Sequence, residues 1–411
     1  MITIYICYLL FFFDIVYLKC KVEGSVMKKE VLNRKSNYEL MRITSMIFIV
    51  IYHIIMHCCF ESKSTGSMSI IINFINALIV VHVNSFILLT GYFQCKTKLK
   101  LSRVISLNNA AWFYKALFLL IVIILSTCLG IKLANHITTI EFIKTILPID
   151  YGIYWFLECY LAIYLLSPIL NKVILNCTKK QLQKIIIIIF ILFSIISTLT
   201  MDEVIYTRSG HSIASFILLY FIGAYLRLYP MNENYFFKIF TDTAKKTIYL
   251  IAFLSCACLS LLCHIAYTKM SGLHPLFNEI GLILNYSFFS FASPIVIIQS
   301  IFYFLFFSTL NINSKFINKI SKSTFGVYLI HENIYVRDNI YKWLGYTKIN
   351  IITPKVVIIT IITAIVMFLV CTVMEQIRQK IFNFIYNRKF SKRIRKKYQE
   401  YFKNLGLNLT W

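Results

Sequence analysis

Long apolar runs, each bounded by short basic or polar stretches, recur along almost the whole chain. A bilayer core about 30 Å thick is crossed by about 20 mostly apolar helical residues. By that measure the pattern predicts ten spans, roughly 38–58, 70–93, 107–131, 154–175, 184–200, 212–229, 246–268, 280–308, 323–344 and 353–375. The run 280–308 is long and contains Pro294, which predicts a kink or a tilt. The expected fold class is all-α, a polytopic membrane bundle of about ten transmembrane helices.

Composition sharpens this picture. The chain has 411 residues, of which 59% are hydrophobic and 14% charged. A soluble domain carries about 25% charged residues. The net charge of +25 raises the question of nucleic acid. The basic residues fall in short loops and a tail, not on an aromatic-interleaved amphipathic surface, so no nucleic-acid partner is expected. Their distribution orients the bundle instead. The alternate connections that begin with the N-terminal arm hold 30 Lys and Arg, and the opposite connections hold nine. Basic loops mark the cytoplasmic side, so both ends of the core are expected inside, in keeping with an even number of spans. The 12 cysteines lie mostly in apolar runs and form no C-x-x-C pair. They read as small buried hydrophobes rather than a disulfide or metal framework.

Three segments follow. Residues 1–26 are an extra apolar leader without a basic start or a small-residue cleavage site, so translation from Met27 is the simpler expectation. Residues 27–377 form one membrane domain, since every loop is too short for a soluble one. Residues 378–411 are a basic cytoplasmic tail suited to anionic membrane lipids, or simply to a stop-transfer anchor.

Ionisable residues inside spans are expensive, and by default they mark function. In the first span Arg42 and His53 stand eleven residues apart. On a helix that is about 16 Å of rise, with the two side chains within about 20° of one another. This predicts Arg42 at one surface and His53 near mid-depth. The ninth span brings His331 and Glu332 about 12 Å in from Ser323, a depth that matches His53. Asn333, Arg337 and Asp338 follow, lining the outer half or forming a structural network with Glu332. Asn84 in the second span is expected to face an interior cavity, while Ser85 and Thr90 serve packing equally well. Tyr154 and Trp155 fit an interfacial aromatic belt. Glu158, about a turn deeper, pairs with a base or reaches the interface. His57 is a relay or an interface residue, and His136, His211, His264 and His274 read as ordinary surface histidines. His53 and His57 have metal-ligand spacing but no acid between them, so no metal is expected.

At these residues the chain resembles the acyltransferase-3 family of integral membrane acyltransferases, in particular members acting on polysaccharides and exopolysaccharides. The likeness runs from about Ser36 to Ile377. It is carried by Arg42 and His53 with ten residues between them, and by the segments Asn37–Ile43, Val83–Phe93, Tyr154–Leu157 through Leu166-Ser167-Pro168, Tyr220–Arg227 and Ser323–His331. Each is a loose apolar pattern, and their order and spacing make the match. The chain departs from relatives with paired acids after the tryptophan, since only Glu158 follows Trp155. It also has no segment matching the fused extracellular hydrolase-like domain of some relatives.

The resemblance implies an O-acetyltransferase of the bacterial plasma membrane. It would move an acyl group, usually acetyl from cytoplasmic acetyl-CoA, to a hydroxyl of a cell-surface or lipid-linked glycan. His53 would be the general base or acyl carrier. His331 and Glu332 would orient it or the acceptor. Arg42, with Lys100 and Arg103 in the basic loop, would bind the donor's phosphates. Asn84, Trp155, Glu158, Asn333 and Arg337 are the candidate acceptor residues. The competing class is a transporter or flippase for a glycan or lipid-linked intermediate, against which stands the lack of an internal repeat or paired broken helices in the sequence.

Overall fold

The computed structural model describes residues 35–129, 154–230, 240–271 and 273–387. The leader 1–26, Met27, the loop 132–153 with His136, and the tail beyond residue 387 lie outside the described residues. The main helices are α1 (Ser36–His57), α2 (Ser67–Ile79), α3 (His82–Gln94), α4 (Leu101–Leu129), α5 (Trp155–Asn176) and α6 (Lys179–Phe190). They continue as α7 (Ile213–Leu228), α8 (Asp242–Met270), α9 (Pro275–Phe289), α10 (Pro294–Ser308), α11 (Thr324–His331), α12 (Ile334–Trp343) and α13 (Pro354–Asn387). The fold is an all-α polytopic bundle, with no strand among the described residues.

Among the described residues eight helices are long and apolar enough to cross a membrane, against the ten expected. Two runs account for the difference. The helix α7 has 16 residues, about 24 Å of rise, and is short of a full crossing. The run 323–344 is not one helix but α11 and α12, broken at Glu332-Asn333. Arg378, expected in the tail, is a half-buried residue of α13 held by Glu375.

Three apolar runs are interrupted near the centre of the bundle. The break expected at Pro294 is present as the non-helical Ser290–Ser293 between α9 and α10. The second span divides at Val80-Val81, which its uninterrupted apolar pattern did not predict. The third break is Glu332-Asn333. Beside these, Ile191–Ile196 follows α6 as a π-helical turn. Water is absent from a bilayer core, so each backbone group freed by a break needs a protein partner. At Ser290–Ser293 the partners can be named. Asn84 Nδ2 donates to the Phe291 carbonyl at 2.9 Å, and Ser194 Oγ, on the π turn, donates to that of Ala292 at 2.6 Å. The Phe291 N–H donates to the Ser209 carbonyl at 2.9 Å. At the other breaks His82 Nδ1–H donates to the Ile79 carbonyl at 2.6 Å, and Asn333 caps α12 through the Tyr335 N–H. The same logic covers Pro168 inside α5. Proline cannot bond the carbonyl four residues back, and the Ser167 hydroxyl donates to that Tyr164 carbonyl at 2.7 Å.

Helices α3 and α7 meet backbone to backbone. A Cβ on Gly91 would strike the Tyr220 carbonyl, and one on Gly223 the Leu88 carbonyl. Small residues permit such approach where lipid supplies no hydrophobic driving force between helices. Outside the spans, Asp202 organises the loop that follows the π turn. Burial opposes its charge, but the Ser197 and Thr207 hydroxyls, the Tyr286 phenol and the Ser209 N–H all donate to it and hold its carboxyl below the ordinary 3.8.

Gly223→Ala is expected to force the two helices apart and cost about 1–3 kcal/mol, the usual range for overpacking. Thermal unfolding in detergent would show it, and an unchanged midpoint would refute the contact. A depressed carboxylate stabilises above its unfolded pKa and loses that contribution as pH falls through the folded one. The difference in melting temperature between wild type and Asp202→Asn should therefore be full above pH 4 and vanish in stronger acid.

Candidate active site

The helix α1 continues six residues before Arg42 and four beyond His53. His53 thus stands about 6 Å from the far end of its helix. There α1 packs against α11, whose last residue is the fully buried His331.

His53 Nδ1 lies 3.0 Å from His331 Nε2, and His331 Nδ1 lies 2.7 Å from the Val327 carbonyl. A carbonyl only accepts, so it assigns the His331 proton to Nδ1. Neutral His331 then accepts at Nε2, and His53 donates from Nδ1. His53 Nε2 is left with its lone pair. One backbone oxygen, one turn back on α11, therefore sets the tautomer of both rings.

Glu332 follows where α11 ends. Its Oε1 is 3.0 Å from His53 Nδ1 and 3.4 Å from His57 Nε2, though neither approach is aligned as a hydrogen bond. Arg337 Nη1 stands 3.9 Å from Oε2. A carboxylate at a helix centre in lipid costs about 3 kcal/mol on insertion scales, and these cationic or cation-forming neighbours offset that cost. His57 stacks on the Tyr341 ring at 5.7 Å. Asn333 donates from Nδ2 to Tyr154 Oη at 3.0 Å, and Tyr154 donates on to the Leu329 carbonyl at 2.8 Å. Tyr154 is thus fully buried, clamping α11 in place, and is not part of an interfacial belt.

The donor atoms of His53, His331 and Glu332 all lie within 4.8 Å of one another, close enough to hold a cation. Metal binding there would require lone pairs on both His53 Nδ1 and His331 Nε2, so it is incompatible with the hydrogen bond that joins them.

The other candidates are dispersed. Arg42 pairs with Glu39 at 2.7 Å and lies over the Phe93 ring. Arg103 is exposed over Tyr160 and Tyr164 and donates to Tyr160 Oη at 2.7 Å. The exposed Lys100 donates through its backbone N–H to Tyr164 Oη. Glu158 is exposed and does not join the histidines. Asn84 does not face a cavity, because its amide is bonded to the helix break. The Trp155 and His211 rings meet at 4.3 Å and those of His211 and Phe291 at 4.9 Å, both pairs tilted. His211 is half-buried against those rings in its loop, and that burial pushes its imidazole below the ordinary value. His264 likewise contacts Asn285 and stacks on Phe288.

Two groups escaped the sequence reading. Buried His82 lies between Tyr52 and Phe291, linking the His53 helix to the break at Ser290–Ser293. Buried Glu375 binds Arg378, Gln379 and Tyr114 and presses on Gly326 of α11. Each is an ionisable residue within an apolar run, the signal already used for His53 and His331.

Glu332→Gln retains shape but cannot stabilise a protonated His53. The variant is expected to reach the membrane at wild-type level and lose 10²–10⁴-fold in turnover, the usual scale for such groups. Wild-type turnover would remove Glu332 from the site.

Comparison with curated proteins and with solved structures returned no match. The family model described as an acyltransferase domain matches residues 35–375. That span includes the paired imidazoles, Glu332, Arg42 and Arg103, and the chain accordingly belongs to the acyltransferase-3 family of membrane acyltransferases.

Proposed function

We propose that the protein is an O-acetyltransferase that carries acetyl from acetyl-CoA to a hydroxyl of a cell-surface or lipid-linked polysaccharide, in a bacterial plasma membrane. The observation that carries the chemistry is the hydrogen-bonded series from the Val327 carbonyl through His331 to His53, which leaves His53 Nε2 with a lone pair. That nitrogen takes the proton of the acceptor hydroxyl as its oxygen attacks the thioester carbonyl. The imidazolium so formed lies against Glu332, 3.0 Å from Nδ1. On collapse of the tetrahedral intermediate the C–S bond breaks, and the proton on Nε2 passes to the departing thiolate. His331 holds the ring and Glu332 balances its charge, the division of labour of a base with an orienting acceptor.

The same His53 Nε2 can instead attack the thioester carbonyl itself, breaking the C–S bond, releasing the thiolate and forming an acyl-imidazolium; the acceptor hydroxyl then attacks that acyl group, freeing the neutral imidazole while its proton goes to the thiolate. Trapping labelled acetyl on the protein in the absence of acceptor separates the two routes. A flippase is the second reading, because the interrupted helices at Val80-Val81 and Ser290–Ser293 are a feature of transporter binding sites.

Proteoliposomes of the full chain, given labelled acetyl-CoA and a membrane glycan fraction, are expected to place label on the glycan. His53→Ala should abolish transfer while remaining in the membrane, and exhaustive chelation should leave wild-type transfer unchanged. Glycan movement across the bilayer without acetyl consumption would establish the flippase. Loss of activity on chelation would replace the base with a metal centre at the same three residues.

A further inference from the structure

The basic ends of α1, α3 and α7 meet around two adjacent rings of α3. Tyr92 and Phe93 have centroids 5.0 Å apart. Tyr38, in the first turn of the His53 helix, contacts both, at 5.1 and 5.4 Å. Arg42 lies over Phe93 at 5.7 Å, and Arg227, the next-to-last residue of α7, over Tyr92 at 5.1 Å. The two guanidinium groups are thus held on neighbouring faces of one aromatic shelf.

Their charge balance differs. Arg42 is paired with Glu39. Arg227 is half-buried, and its polar contact is Tyr92 Oη at 3.4 Å; among the described residues it meets no carboxylate. A half-buried guanidinium that meets no carboxylate among the described residues, held in one orientation by a ring, suits a planar bidentate contact to a phosphate. The shelf adjoins the start of the helix that carries His53 some 16 Å further on, a distance that a flexible thioester arm spans.

We infer that Arg227, with Tyr92 and Arg42, forms a site for the phosphate esters of a nucleotide-bearing acyl donor, and that Arg227 selects donors with that nucleotide over bare thioesters. This rests on the acyl-transfer reading given above. The phosphate could also be that of an anionic lipid headgroup, and the experiment separates the two.

The full chain in proteoliposomes is assayed with acetyl-CoA and with acetyl-pantetheine, which has the same thioester but no nucleotide. Wild type is expected to favour acetyl-CoA in kcat/KM, and Arg227→Ala to reduce that preference at least tenfold, mainly through KM. Arg227→Lys, which keeps charge but not the fork, should fall between them. Lys180→Ala removes an exposed charge near the same end and should leave the preference intact. Binding of adenosine 3′,5′-bisphosphate to detergent-purified protein gives a readout that needs no turnover, and Arg227→Ala should weaken it at least tenfold. Bisphosphate binding equal in wild type and Arg227→Ala overturns the inference. So does an equal loss with both thioesters that follows the anionic lipid content of the vesicles, which assigns Arg227 to lipid. If wild type binds the bisphosphate through Arg227 yet moves no acetyl, the acyl-transfer reading fails and the nucleotide site stands.

Discussion

A hydrocarbon solvent offers nothing to an unsatisfied backbone group, and that constraint organises the centre of this protein. Three apolar runs are broken, at Val80-Val81, Ser290–Ser293 and Glu332-Asn333. An orphan amide or carbonyl in such surroundings costs several kcal/mol. The breaks persist because polar side chains, some from neighbouring helices and some beside the break itself, are committed to them. Asn84 and Ser194 hold the middle break, His82 the first, and Asn333 the last. Side chains that look like candidate ligands in the sequence are in part the fastenings of irregular backbone.

The breaks also make room for the chemistry. Ending α11 at His331 lets Glu332 leave the helical path and reach both His53 and His57. A continuous helix would place residues 331 and 332 about 100° apart around its axis, so the two could not readily converge on one imidazole. His53 lies on the long helix α1, while His331 and Glu332 stand where α11 stops. Glu375 of α13 pressing on Gly326 shows how the rigid side positions α11. At the opposite end the guanidinium groups lie on aromatic faces, where their orientation is set by packing rather than by ion pairs alone. The molecule thus separates a basic, aromatic end from the paired imidazoles by most of the length of a single helix.

Much of this was legible in the residues. Apolar runs of membrane length are dictated by local composition, and they specify an all-α bundle whatever their neighbours do. The cost of burying charge singled out Arg42, His53, His331 and Glu332. The same argument applied evenly would have found His82 and Glu375, which were passed over because no simple spacing ties them to the others. Proline marked the break at Ser290–Ser293. Nothing local marked the one at Val80-Val81, where both residues keep helical dihedral angles.

What the sequence determined by itself is the solvent this chain inhabits, its helical class and the few ionisable residues it risks within its spans. Those follow from transfer energies that each residue carries alone. Only the tertiary structure decided which of them meet. His53 and His331 are separated by 278 positions, and whether they touch depends on helix tilt, on glycines that let α3 and α7 close, and on where the helices stop. It also decided the tautomer. The Val327 carbonyl assigns the His331 proton, His331 assigns that of His53, and a free nitrogen results. That selection is a property of geometry, because a histidine in a sequence has two equivalent chances and only a fixed partner removes one.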